Sequence, residues 1–255
     1  MNNGEITLPA LRAGRVISPL IFGIASRNYK MNTLKTTARI TGLLMLVLVA
    51  LAPFSMLYMP ATLIVPGDAA TTASNIIASA PLFRLAMASD AVIFLIEIAL
   101  CALVYTLVRP VNKTLALIAV FARLAMTIIQ GLNLLNHFIV LLLLSGAGSV
   151  TAFGPPQLHA LVALFLGAHE ATVLIWGMFF GLHLLVLGYL VYRSGYLPKV
   201  IGGLLVFVGL VYLVQSFGNI LMPEAKALFT AMSSLAFLEI VFPVWLLIKG
   251  VKAQA

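Results

Sequence analysis

Six stretches of this 255-residue chain are apolar for long enough, about 20 residues each, to cross a hydrocarbon core of roughly 30 Å as α-helices. They are Ile40 to Met59, Leu85 to Val108, Thr114 to Leu144, Leu158 to Tyr192, Val200 to Leu221 and Leu228 to Ile248. In hydrocarbon every backbone N–H and C=O must find its partner within the segment, which leaves helices as the fold open to such runs. With 62% hydrophobic and 9% charged residues, the chain has too little polar surface to cover a water-soluble globule. The expectation is an all-α, polytopic integral membrane bundle of six transmembrane helices over residues 31–255. The third and fourth runs exceed one bilayer thickness and are expected to project beyond it, toward the glycine- and proline-rich stretch Gly146 to Gln157. Pro53 and Pro243 lie inside runs one and six, where each removes a helical hydrogen bond and kinks its helix.

The basic residues read the orientation. Arg12, Arg15, Arg27, Lys30, Lys35, Arg39, Arg109, Lys113, Arg193, Lys199, Lys249 and Lys252 fall on one side of the alternating loops, against Arg84 and Lys226 on the other. The positive-inside rule then predicts both termini in the cytoplasm and a multi-pass protein of the inner (plasma) membrane. The net charge of +8 arises at the ends of apolar segments, so it points to lipid headgroups and not to nucleic acid. The lipid bilayer is the expected partner, with oligomeric state open. Cys101 is the lone cysteine, so no intrachain disulfide forms, and its place in an apolar run reads as packing. Residues 1–30 read as a poorly ordered extension or the product of a misassigned start, since Met31, Lys35 and Arg39 precede the first run as an N-terminus would. A cleaved signal over Met31 to Ala52 is disfavoured because the apolar run outlasts a signal core.

The loops carry a resemblance. Pro66-Gly67-Asp68-Ala69-Ala70-Thr71, Leu82-Phe83-Arg84, Arg109-Pro110-Val111-Asn112-Lys113 and Gly188 to Pro198, above all Ser194-Gly195-Tyr196-Leu197-Pro198, resemble the bacterial membrane family known as domain of unknown function 4386 (DUF4386). The resemblance runs from about Met31 to Lys252. It implies a multi-pass integral membrane protein and brings no established activity or catalytic residues. Read by themselves, Asp68 is a cap for a short helix over Ala69 to Ser79 that Pro81 would end, and Gly195 suits a turn needing positive φ.

Four of the seven acidic residues, Asp90, Glu97, Glu170 and Glu239, lie within the apolar runs. Ionisable groups at bilayer depth are costly, so each needs a partner, a proton or a wet cavity. Asp90 and Glu97 are seven apart on one helical face, as are Arg123, Gln130 and His137 on the next run, with Asn133 beside them. Runs two and three form an antiparallel hairpin about Val111. Glu97 lies roughly 21 Å and Arg123 roughly 18 Å from that turn. The depth match predicts that Glu97 pairs with Arg123 and that Gln130 and Asn133 hold Asp90.

Run four adds His169, Glu170 and His183. Glu170 shares a face with Gly177, Gly181 and Gly188, a small-residue packing stripe, and is expected to point into the bundle. A metalloprotease His-Glu-x-x-His fails because Val173 occupies the last position. Stacked haems would need a second helix with paired histidines, and His137 and His159 are read as standing alone. Glu239 sits roughly 15 Å from Lys249, and Gln215 and Asn219 share a face that was expected to complete a polar cavity with Glu170. No nucleophile elbow, phosphate loop or dinucleotide fingerprint occurs, so the sequence motivates no enzyme class, an intramembrane hydrolase built on isolated carboxylates stays open without support, and no cofactor or metal is expected. Two functions stay open: Asp90, Glu97, Arg123, Gln130, Asn133, His137, His169, Glu170 and Glu239 bind or move a small solute or protons, or these groups only hold together a structural, sensory or accessory membrane protein.

Overall fold

Proline and small capping side chains set where most of the helices begin. The computed structural model describes residues 10–146, 148 and 152–252, with side chains from Asn32 onward. Helix α1 (Ala10–Pro53) carries the first apolar run. Pro53 has no N–H to donate, and the chain beyond it widens into a π-helical turn, Phe54–Tyr58, in which the Met59 N–H reaches back to the Phe54 carbonyl. Helix α2 (Met59–Leu63) completes the run. Residues 1–9 of the expected extension lie outside the described residues, and from Ala10 its backbone is helical, continuing through Pro19.

Gly67, with φ of 80°, turns the chain into α3 (Ala69–Ala78). Asp68 caps it, accepting from the Thr71 amide at 2.9 Å and the Thr71 hydroxyl at 2.6 Å. Those bonds from Thr71, the hydroxyl first, hold the Asp68 carboxyl below its ordinary value. Pro81 does not end α3: that helix stops at Ala78, and Pro81 instead occupies the first turn of α4 (Ala80–Val108), where its missing N–H has no helical partner to lose.

Asn112 caps α5 (Lys113–Leu144), accepting from the Leu115 amide at 2.9 Å. Pro155 and Pro156 open α6 (Pro155–Arg193). The turn to α7 (Lys199–Leu221) uses Gly195 at φ 72°, with the Ser194 hydroxyl bonding Val191 O and Leu197 N. Span six starts with a short 3₁₀ turn, Pro223–Ala225, then α8 (Lys226–Met232), a 3₁₀ stretch over Ser233–Ile240, and α9 (Val241–Ile248).

Among the described residues six helical segments are long and apolar enough to cross a membrane. Their order around the bundle is a closed ring: α1 packs on α4, α4 on α5, α5 on α6, α6 on α7, α7 on span six, and α9 returns to α1. The α6–α7 contact is the tightest because glycines face glycines. A β-carbon at Gly181 would lie 2.9 Å from the Gly209 carbonyl, and one at Gly188 would lie 2.7 Å from the Gly202 carbonyl. Gly42 does the same for ring closure, its α-carbon facing the Pro243 carbonyl and Leu247 amide of α9.

Large apolar side chains such as Leu95, Phe121, Leu132 and Leu164 face outward, as in a bundle solvated by lipid. One buried cluster, including Leu107, Leu187, Leu190, Leu205 and Leu246, fills the end where α1 enters and α9 leaves. There Tyr196 donates its phenol to the Leu107 carbonyl at 2.6 Å and the Lys252 amide donates to the Tyr196 carbonyl at 2.9 Å. A second cluster, including Met59, Ile76, Phe83, Val140 and Val162, fills the far end beneath α2 and α3.

Candidate functional site

Three helices converge their polar side chains on the bundle axis. Arg123 of α5 donates from Nε to Glu97 Oε2 of α4 at 2.6 Å. Its Nη1 lies 3.0 Å from His183 Nε2 of α6, and His183 Nδ1 lies 2.8 Å from the Ala119 carbonyl. A carbonyl can only accept, so Nδ1 carries the proton and Nε2 presents its lone pair to the guanidinium. His183 is therefore the neutral Nδ1–H tautomer. Burial of these residues is nearly complete, with relative exposures of 8% for Glu97, 4% for Arg123 and 0% for His183.

Glu239, on the 3₁₀ stretch of span six, interacts electrostatically with Arg123, Glu97 and Tyr212. Its Oε2 is buried and has no hydrogen-bond partner among the described residues. Trp176, Phe180 and Tyr212 form an aromatic cluster between α6 and α7, with Phe180 stacked on Trp176 at 5.0 Å and also facing His183. The site thus holds one compensated ion pair, one neutral imidazole and one carboxyl oxygen without a donor.

Toward the far end the polar groups of α5 continue in a chain. Asn133 Nδ2 donates to Gln130 Oε1 at 2.8 Å and to the His169 carbonyl at 3.1 Å, while Asn136 donates to Asn133 Oδ1 at 2.9 Å. His137 stacks on His169 with centroids 3.9 Å apart, and Phe83 meets His137 edge-on at 5.0 Å. The Nδ1 atoms of both histidines are buried without hydrogen-bond partners among the described residues. No group of three or more His, Cys, Asp or Glu is placed to hold a metal ion among those residues.

Residues 40–250, from the first span to the last, match the family described as Domain of unknown function (DUF4386). The chain belongs to that family. A relative of this DUF4386 protein occurs in the archaeon Archaeoglobus fulgidus, an uncharacterized protein 28% identical over 161 residues, which cover 63% of this chain and 80% of that protein. No solved structure matches the chain.

The DUF4386 bundle joins some of the residues singled out by the sequence and separates others. Glu97 and Arg123 meet at the depth read from the hairpin. Asp90 does not meet Gln130 and Asn133: it is half-buried and lies near Ser55 of the π-helical turn, because α4 also packs on span one. Gln130 and Asn133 turn the other way, toward α6. Glu170 is exposed, contrary to expectation. Gly177 on its face packs against Ser216, but two turns further along α6 the partner helix α7 has already ended at Leu221. Gln215 therefore makes no cavity with Glu170 and donates to Ser233 at 2.5 Å, while Asn219 bonds back to the Gln215 carbonyl. His137 does not stand alone, since His169 stacks on it.

Spacing along α6 alone offers His183 as a haem ligand and misses its place beside Arg123. A signal existed. Arg123 follows Lys113 by ten residues, His183 precedes Arg193 by ten and Glu239 precedes Lys249 by ten, so all three share one depth counted from the basic residues at the ends of their spans.

Proposed function

We propose that this protein binds and passes protons through its buried polar seam, with Glu239 as the group that takes and releases them. The observation carrying this reading is the contrast between two carboxylates at one depth. Glu97 is compensated by Arg123, whereas Glu239 Oε2 has no donor among the described residues. An unpaired carboxylate in low dielectric resolves its cost by taking up a proton or a cation, so such a group is suited to exchange. Arg123 and Glu97 form a fixed charge pair within its electrostatic reach, and the chain Gln130, Asn133 and Asn136 supports a polar route toward the far end. The excess of basic residues at the entry end supports, as part of this proposal, a plasma-membrane orientation with that end and both termini cytoplasmic.

A second reading has its own support. Arg123 is satisfied by both Glu97 and His183, and a fully paired set of that kind locks helices together in a structural or accessory membrane protein. Proton flux separates the two. Purified protein in liposomes carrying an internal pH dye is expected to dissipate an imposed pH gradient faster than protein-free liposomes, and Glu239→Gln is expected to return the rate to that background. Wild-type liposomes no leakier than empty ones, or unchanged flux in Glu239→Gln, would overturn the proton reading.

A further inference from the structure

Arg84 breaks the charge asymmetry of this chain, since it and Lys226 are the only Lys or Arg residues at the far end of the bundle. It stands in the second turn of α4, exposed, and no described carboxylate forms an ion pair with it. Beneath it lies a groove between α4 and α5 of about 440 Å³, within the size range of small-molecule sites. Met87, Ala88 and Ala91 form one wall, and Leu134, Phe138 and Leu142 form most of the other. Two exposed alanines on α4 leave the trough open where neighbouring positions carry large side chains.

The groove has a polarity. Its cation sits at the rim, at the start of α4. Ala91 lies about 10 Å deeper along the same helix, at 1.5 Å per residue, and the lining below Arg84 is apolar. A charged rim above an apolar trough that opens sideways from a membrane-spanning bundle matches an amphiphile with an anionic head and hydrocarbon tail. Guanidinium presents paired N–H donors suited to phosphate oxygens. We propose that this groove holds one phospholipid, its phosphate on Arg84 and one acyl chain along Ala88, Ala91 and Leu134.

The test is equilibrium binding of a labelled phosphatidylglycerol to the purified full chain in detergent, with native mass spectrometry reading stoichiometry. One lipid per chain is expected. Arg84→Gln and Ala91→Phe should each weaken binding at least about tenfold, Lys226→Gln should leave it unchanged, and millimolar inorganic phosphate should not compete. Ala88 and Ala91 are exposed, so a larger side chain at either enters the groove and not the core; Ala88→Phe is the second filling variant if Ala91→Phe melts early. Equal weakening by Arg84→Gln and Lys226→Gln would mean general charge attraction and overturn the site. So would unchanged binding in both filling variants, displacement by free phosphate, or a wild-type dimer in detergent that filling the groove dissociates, since a second copy would then be the occupant.

Discussion

Glu97 and Arg123 are 26 residues apart in the chain and joined at 2.6 Å in the middle of the bundle. The hairpin brings them to one depth, and burial makes each the condition for the other. Removing one partner of a buried pair leaves an uncompensated charge and costs about 3–5 kcal/mol, whereas removing both together is often tolerated. Glu97→Gln and Arg123→Gln are each expected to lower the thermal midpoint in detergent strongly, with the double variant recovering much of the loss. A double variant as unstable as the sum of the singles would show that the two act separately.

His183 supplies the acceptor for the remaining guanidinium edge. His183→Leu leaves Arg123 Nη1 without it, an unsatisfied buried donor costing about 1–3 kcal/mol. His183→Gln keeps an acceptor and a donor at similar reach, so its melting temperature should lie between that of His183→Leu and wild type. Nitrogen NMR of labelled histidine should show the Nδ1–H form; an Nε2–H signal would contradict the geometry.

Adjacent glycines on α7 make a controlled pair. A β-carbon at Gly202 would stand 2.5 Å from the Tyr192 amide nitrogen of α6, whereas nothing lies within 4 Å of one at Gly203. Gly202→Ala must push two backbones apart, at about 1–3 kcal/mol. Gly203→Ala should be neutral or stabilising by up to about 1 kcal/mol through helix propensity. Equal melting temperatures for the two would mean that α6 and α7 are not so closely seated.

Tyr196 links the loop before α7 to the end of α4, and burial pushes its phenol from the ordinary value of 10.0 up to about 12. The folded state holds this proton more tightly than the unfolded chain does. The resulting stability is complete below pH 10 and is lost as the pH rises from there through about 12. Melting temperatures measured from pH 8 upward should fall in wild type beyond pH 10, with a shallower fall in Tyr196→Phe. Parallel slopes in the two proteins would remove Tyr196 as the source.

Legibility of the fold and site followed from what one-dimensional spacing encodes. Depth was readable, because rise per residue is nearly constant along a helix. That is why the Glu97 and Arg123 pairing emerged from counting back from Val111. Rotation was not readable. Asp90 shares a face with Glu97 by spacing, yet half-buried Asp90 lies near Ser55 of span one while Glu97 faces the axis. Glu170 shares a face with Gly177, yet lies exposed because its neighbour helix is too short to cover it. Neither outcome depends on the residue's own segment.

The apolar runs determined six spanning helices and their up-and-down order, because backbone groups in hydrocarbon must be satisfied locally and short loops make neighbours antiparallel. Capping and turn residues such as Asp68, Asn112 and Gly195 likewise act within a few positions of themselves. Tertiary structure decided which faces meet. Gly181 and Gly188 lock onto Gly209 and Gly202, Gly42 seats α9 against α1, and those close approaches set the rotations that bring His183 to Arg123, turn Glu239 within electrostatic reach of Arg123 and lay His169 on His137. Helix–helix packing depends on shape complementarity between segments far apart in the chain, and no local pattern contains both halves of that fit.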